Sequence, residues 1–541
     1  MLGLFHFLAL APALAAATYP VIQTNYGPVQ GAASPFRDNV TVYKGIPFAA
    51  PPSGSKRWTP PTKPESWANT LLATEFAPQC AQPYSEAGIF STGKNSTSED
   101  CLYLNIWTPS YTTTNPSEIE SKKLPVYVWI FGGRFEGGSG DVITYDGTGL
   151  ASKDIIVVTF NYRLGAFGFL AHPELSLESG HNSSGNYGIL DQQFALRWVK
   201  ENIGYFGGNA SQVTVGGQSA GSASALDMMW SPLSRNLING VISESGARGP
   251  HDPATGSLAT SYTTKDVAEA FGVEFLDTLN VSSVSELREL PMATIIGYGQ
   301  LMEDDYYDGT AFVNLFSGPP RWRPVIDGYV FRHGYGKSLE LNAHADVPIL
   351  TGNNKDESGG GPSTISEYKT IWTEVFGNYS SQFFNLYPAE NDTAAEDNSN
   401  TISRDMARVG TWEWAAEWAS GGAKSDVFVY YFTKAPAEGQ SGGAYHGAEL
   451  WYAFNNIPYS DYSDVTWNAT DYEIESVISD YWANFIRTGN PNGGDLPYFQ
   501  PSTADNKAAM WMGEWFGSGP IAQSEERISF LQRWMSGLHE Y

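Results

Sequence analysis

Gly217-Gln218-Ser219-Ala220-Gly221 sets a serine between glycines two residues away on either side. The pattern follows the short β-branched run Val213 to Val215 and precedes the helical stretch Ser222 to Trp230. A sharp strand-to-helix turn of this kind lifts the serine out of the sheet toward a ligand, and is so tight that its flanking positions must be small. A serine hydroxyl is a poor nucleophile at neutral pH unless a histidine removes its proton, and that histidine needs a carboxylate to fix its tautomer. The chain order in this arrangement is serine, acid, histidine. VPILTGNNKDES offers Asp356 and Glu357 just past a strand end, and after them only His446 and His539 remain. His539 lies two residues from the C-terminus, where chains fray. His446 sits in the loop GGAYHGAELW, after a strand ending near Phe432, and is the better base.

Acyl transfer through a serine also requires donors aimed at the oxyanion of the tetrahedral intermediate. They usually come from the backbone after the nucleophile and from a Gly-rich loop after an earlier strand. Ala220 supplies the first, and the strand PVYVWIF runs into Gly132-Gly133-Arg134-Phe135, which supplies the second.

These residues need a scaffold that holds loop ends rigidly. Apolar runs at Val126 to Phe131, Ile155 to Phe160, Val213 to Val215, Val241 to Ser243, Val347 to Thr351 and Val427 to Phe432 fit strands buried on both faces of a mostly parallel sheet. Between them, Asp191 to Asn202 and Tyr472 to Arg487 carry apolar residues at helical spacing, which predicts helices covering that sheet. The Gly/Ser/Asn-rich patches Ser358 to Ser363 and Asn391 to Asn400 read as loops, and no repeat or linker marks a domain boundary. The expectation is one domain over residues 18–541.

Hydrophobic residues at 42%, with 16% charged, suit a large packed core and exclude a disordered or collagen-like chain. A formal net charge of -27, with no Lys/Arg cluster, argues against nucleic-acid binding. The N-terminal MLGLFHFLALAPALAAATYP predicts a signal peptide cut after Ala15 or Ala17 and a secreted, extracellular product. Its apolar run is too short to span a bilayer. Sequons at Asn39, Asn95, Asn182, Asn209, Asn280, Asn378, Asn391 and Asn468 agree with a secretory route. Cys80 and Cys101 are the only cysteines, so one disulfide is expected in an oxidising compartment, two free thiols being the alternative.

The stretches YKGIPFAAPPSGSKRW, SEDCLYLNIWTP, VWIFGGRF, NYRLGAFGFL, GNYGILDQQFALRWVKENI, GGQSAGS, GNNKDES, YHGAEL and YWANFIRTGNPN resemble the type-B carboxylesterase and lipase family over nearly the whole mature chain. The resemblance implies the α/β-hydrolase fold, with a large central sheet and helices on both faces. It also implies Ser219 as nucleophile, Glu357 rather than Asp356 as the acid, and His446 as base. The oxyanion donors become the N–H groups of Gly133, Arg134 and Ala220. It pairs Arg57 with Glu99, Arg163 with Asp191 and Cys80 with Cys101. The family usually has glycine where Arg134 stands, glutamate where Gln218 stands and glycine where Ser358 stands, so Arg134 and Gln218 are the candidate residues for a pocket of altered shape and charge.

The expected activity is hydrolysis of small-molecule carboxylic esters through an acyl-enzyme, with neither metal nor organic cofactor. A lipase is the nearest alternative, but the loop AQPYSEAGIFSTGKNSTSED between the cysteines is short and polar for a lipid-facing lid. A cholinesterase is disfavoured because that loop has no tryptophan to stack on a quaternary ammonium. A non-catalytic adhesion module of this family would have lost triad residues, which this chain keeps. For Arg134 the expectation is a backbone that needs no positive φ, and a side chain turned either toward Glu136 and solvent or to the pocket rim, where it could meet a substrate carboxylate.

Overall fold

The computed structural model describes residues 19–83, 88–90, 96–257, 261–299, 301–357, 361–436, 442–459 and 466–540. The leader over residues 1–17, Asn95 of the second sequon and Ser358 lie outside the described residues.

Its centre is an eleven-stranded sheet. In chain order the strands are β1 (Ala32–Ala33), β2 (Val40–Pro47), β3 (Tyr103–Pro109), β4 (Leu124–Ile130), β5 (Ile156–Phe160), β6 (Gly208–Gln218), β7 (Gly240–Glu244), β8 (Ile349–Asn354), β9 (Val427–Phe432), β10 (Ala508–Met512) and β11 (Phe516–Pro520). In space they run β11-β10-β9-β8-β7-β6-β4-β5-β3-β2-β1. The strands from β10 to β5 in that order pair parallel, whereas β3, β2, β1 and β11 pair antiparallel at the two edges. All six runs expected as strands fall within this parallel core. Of the antiparallel strands, β1 is only two residues long and β11 is rich in glycine and partly exposed, while β2 and β3 are largely buried but interrupt their apolar runs with Thr41, Lys44, Asn105 and Thr108.

Helices α1 (Tyr187–Asn202), α2 (Ala220–Trp230), α3 (Asp392–Ser420) and α4 (Ala469–Thr488) pack around the sheet. Two of these answer the helical expectations. α4 begins in a reciprocal Asn468–Asp471 capping box and ends at Gly489, whose φ of 73° closes the last turn. The third, α3, corrects the reading of Asn391 to Asn400 as a loop. Asn391 caps it by accepting the Ala394 N–H at 2.9 Å, and the polar residues that follow are its first turns. Asn and Ser are poor helix formers, but Ile402, Met406, Val409, Trp414 and Trp418 bury the helix further along, and packing overrides local propensity.

Described residues from Ile22 to Met535 contribute to one hydrophobic core. Two bidentate ion pairs are set into it. Arg163 meets Asp191 at 2.7 Å through both Nε and Nη2, and Arg57 meets Glu99 at 2.6 and 2.5 Å. Cys80 and Cys101 form a disulfide with Cα atoms 4.9 Å apart. Among the described residues no helix is long and apolar enough to cross a membrane.

Candidate active site

β6 ends at Gln218, α2 begins at Ala220, and Ser219 between them has φ 58° and ψ -123°. This strained elbow is held open by what surrounds it. A Cβ at Gly217 would lie 2.2 Å from the Gly221 carbonyl oxygen, and one at Gly221 would lie 2.1 Å from that of Ile130. Any larger residue would push the turn apart. The Ser219 N–H donates to the Glu244 carbonyl at 2.9 Å, which ties the elbow to the end of β7.

The loop after β4 abuts the nucleophile. A Cβ on Gly132 would come within 3.2 Å of the Ser219 Cβ and 2.4 Å of the Gln218 carbonyl oxygen. Gly133 follows with φ 106°, then Arg134 with φ 57° and Phe135 with φ 63°. Arg134 thus corrects the expectation that its backbone needs no positive φ. The loop turns back sharply through these left-handed residues, and the N–H groups of Glu136 and Gly137 both donate to the Gly133 carbonyl. Its side chain lies within charge range of Glu136, one of the places expected for it, and reaches past it to a further segment. Nη2 donates to the Gly318 carbonyl at 3.0 Å and touches Met302 Sδ at 3.6 Å, fastening the 302–318 segment to the glycine loop. Burial lowers the guanidinium's affinity for its proton, and the nearby Glu136 charge opposes that effect.

The acid and base arrive on two loops stitched together. Asp356 accepts the Ala444 N–H at 2.8 Å and donates its own N–H to the Ala444 carbonyl, while Asn354 Nδ2 donates to the Tyr445 carbonyl at 2.7 Å. These bonds bring His446 Nδ1 within 2.5 Å of Glu357 Oε2. Glu357 Oε1 accepts from Ser245 Oγ and from the Asn354 N–H, each at 2.6 Å. Burial alone would raise the Glu357 carboxyl, but the His446 charge and these donors outweigh it and hold the group below the usual carboxylate range. His446 moves the other way. Burial disfavours its charge, yet Glu357 and, further off, Glu449 lift its pKa above that of an ordinary imidazole. Asp356 faces Arg404 instead, at 2.6 Å.

Gln218 Nε2 lies 2.9 Å from His446 Nε2, so the residue before the nucleophile touches the ring nitrogen that faces away from Glu357. Sequence reasoning singled out Gln218 for its type but missed this contact, and it missed Ser245 and Asn354 altogether. His539, the other histidine weighed as base, is in the segment after the last described helix, remote from this cluster in sequence. Ile89 and Phe90 of the disulfide-closed loop lie against Gly447, where a Cβ would meet Phe90 Cζ at 2.6 Å. Among the described residues no cluster has the composition of a metal site.

The backbone N–H groups of Gly133, Arg134 and Ala220 meet no acceptor among the described residues. A strained serine abutted by the glycine loop, with a carboxylate-bound imidazole in contact with the residue before it, gathers the side-chain types that acyl transfer uses.

The carboxylesterase family model matches residues 18–515. The chain is 34% identical to the fumonisin B1 esterase of Sphingopyxis macrogoltabida over 514 residues, covering 92% of this chain and 87% of that one. It is 31% identical to the para-nitrobenzyl esterase of Bacillus subtilis (strain 168), over 88% of this chain and 91% of that one. A solved PNB esterase structure superposes with a TM-score of 0.75 at 28% identity, covering 95% of this chain and 99% of that one.

Proposed function

Because the chain belongs to the carboxylesterase family and is a carboxylic ester hydrolase of the α/β-hydrolase fold, we propose that Ser219, Glu357 and His446 carry out its reaction by a two-step acyl-enzyme mechanism. The observation that carries the reading is the 2.5 Å contact of His446 with Glu357, on a ring whose other nitrogen faces the elbow.

His446 Nε2 takes the proton of Ser219 as Oγ bonds to the ester carbonyl carbon. The carbonyl oxygen becomes an oxyanion facing the N–H groups of Gly133, Arg134 and Ala220. Collapse breaks the carbon–alkoxide bond, and the alcohol leaves with the proton held on His446. Water then repeats the sequence on the acyl-enzyme, releasing the acid and restoring the Ser219 hydroxyl. Proton transfers and backbone dipoles suffice for each step.

An esterase is favoured over a lipase because, among the described residues of the disulfide-closed loop, Ile89 is turned inward and buried. Fumonisin B1, named for one relative, belongs on the substrate panel beside simple aryl esters. Secretion rests on the leader and on sequons of which Asn39, Asn182, Asn280, Asn378, Asn391 and Asn468 are exposed and Asn209 is half-buried.

Labelling with a fluorophosphonate followed by peptide mapping tests the triad. Modification at Ser219 is expected, abolished in Ser219→Ala and slowed by several orders of magnitude in His446→Ala. Labelling at another serine, or labelling of the His446→Ala protein at the native rate, would overturn it.

A further inference from the structure

We propose that Gln218 is a positioning residue that holds His446 in its neutral, base-competent form between turnovers. The inference rests on the reading of His446 as base. Gln218 is 1% exposed, at the end of β6, and its Nε2 sits 2.9 Å from His446 Nε2. The ring's other nitrogen, Nδ1, carries a proton donated to Glu357 at 2.5 Å. In a neutral imidazole with Nδ1 protonated, Nε2 has a single in-plane lone pair and can only accept. An amide –NH2 can only donate. The two therefore match in one state alone, with His446 uncharged.

Protonation of Nε2 turns this contact into two opposed donors, and the amide must rotate to present Oε1. The same holds during catalysis. When Ser219 Oγ–H breaks and His446 Nε2–H forms, the lone pair that held Gln218 is used up, so the amide contact breaks in that step and the turned amide can accept from the new N–H. Gln218 thus stabilises the base before the transfer and gives it an acceptor afterward, carrying no charge in either state.

The groups that act electrostatically on His446 are Glu357, on the loop after β8, and Glu449, on its own segment. Glu449 feels the charge of Glu244 of β7 and in turn acts on Tyr430 of β9. Glu357, and Glu449 once it is ionised, favour the imidazolium. Gln218 is the neutral group on the opposite side of the ring that counters them, and a carboxylate at this position would add to them instead.

The test is the pH dependence of inactivation by a neutral fluorophosphonate, measured on the full chain as wild type, Gln218→Glu and Gln218→Met. This rate reads the ionisation of the free enzyme's base without acyl turnover. In Gln218→Glu the acidic limb should move up by about one pH unit or more, with about tenfold slower labelling below it. Gln218→Met, which keeps the length without a donor, should move it up by less. A limb unmoved in Gln218→Glu, or moved equally in both variants, would overturn the proposal, since loss of packing alone lowers the plateau and leaves the limb in place. Independently of any variant, nitrogen-15 NMR of imidazole-labelled wild type at a pH above the acidic limb should show His446 protonated on Nδ1 and unprotonated on Nε2, and the opposite tautomer would overturn the proposal. Wild type that resists labelling at every pH would instead sink the serine-hydrolase reading.

Discussion

Asp356 and Glu357 are chain neighbours whose carboxylates face different partners: Asp356 Oδ1 takes Arg404 at 2.6 Å, and Glu357 Oε2 takes His446 at 2.5 Å. Glu357→Gln should therefore lower kcat on an aryl ester by about three to four orders of magnitude, because a neutral amide neither fixes the tautomer nor stabilises the imidazolium. Asp356→Asn retains an acceptor for the Ala444 N–H and loses only the Arg404 ion pair. Its kcat should stay within about threefold, with a stability loss of about 1 kcal/mol. Steady-state kinetics and thermal melts on both proteins decide it, and the reverse order of kcat effects would move the acid by one position.

Opening the Cys80–Cys101 bridge, with a sequence separation of 21 residues, should cost about 3 kcal/mol. The double Cys→Ser protein should show this in urea unfolding. It should also show a raised KM, because the bridge closes the loop that places Phe90 against Gly447, next to His446. A KM equal to that of the wild type would mean that the loop does not shape the site.

The parts legible in the sequence are those encoded by local sterics and burial. The parallel strands announce themselves because burial on both faces demands unbroken apolar runs such as Val126 to Ile130. The elbow is legible because only glycine satisfies the 2 Å approaches at 217 and 221. Contacts that depend on tertiary closure leave no such mark. Gln218 and His446 are 228 residues apart, and no pattern within either segment encodes their meeting. The first turns of α3 read as loop because what stabilises them lies in the tryptophans further along the helix. The backbone of Arg134 is illegible for a different reason: a residue that favours φ near -60° gives no sign that its neighbours force it to 57°.

Stability should rise as pH falls from 8.5 to 5.5. Burial pushes the carboxyls of Asp227, Glu244, Glu413 and Glu449 up to about 8, and Glu417 and Glu475 to about 7. Groups raised in the fold contribute stability that is fully present below their unfolded pKa of about 4.3 and is lost as pH rises through the folded values. Glu357 and Asp346 are lowered in the fold, so what they contribute is lost only below the ordinary carboxylate range. His172 and His344, lowered by burial, oppose the trend within the window but are outnumbered by the six raised carboxyls. A net charge of -27 at pH 7 adds self-repulsion in the same direction. Calorimetry at fixed ionic strength should therefore give a higher Tm at pH 5.5 than at 8.5, and a Tm that climbs toward pH 8.5 would contradict the account.

Arg134 combines a strained backbone with an anchoring side chain, and two substitutions separate these roles. At φ 57° any residue with a Cβ is disfavoured by about 1 kcal/mol relative to glycine. Arg134→Gly removes the strain and the anchor to Gly318 and Met302, whereas Arg134→Ala removes only the anchor. The glycine protein should be the more stable of the two by about 1 kcal/mol. Both keep the backbone N–H, so kcat on a small neutral ester should stay within about threefold of wild type. Freed of the guanidinium, the 302–318 segment should admit bulkier acyl groups, and kcat/KM for long-chain esters should rise in both variants. A fall in kcat of about 100-fold on every ester in both would show that the side chain instead holds the oxyanion donors in place. A fall confined to Arg134→Gly would assign that task to the restricted backbone, because only the glycine protein loses it.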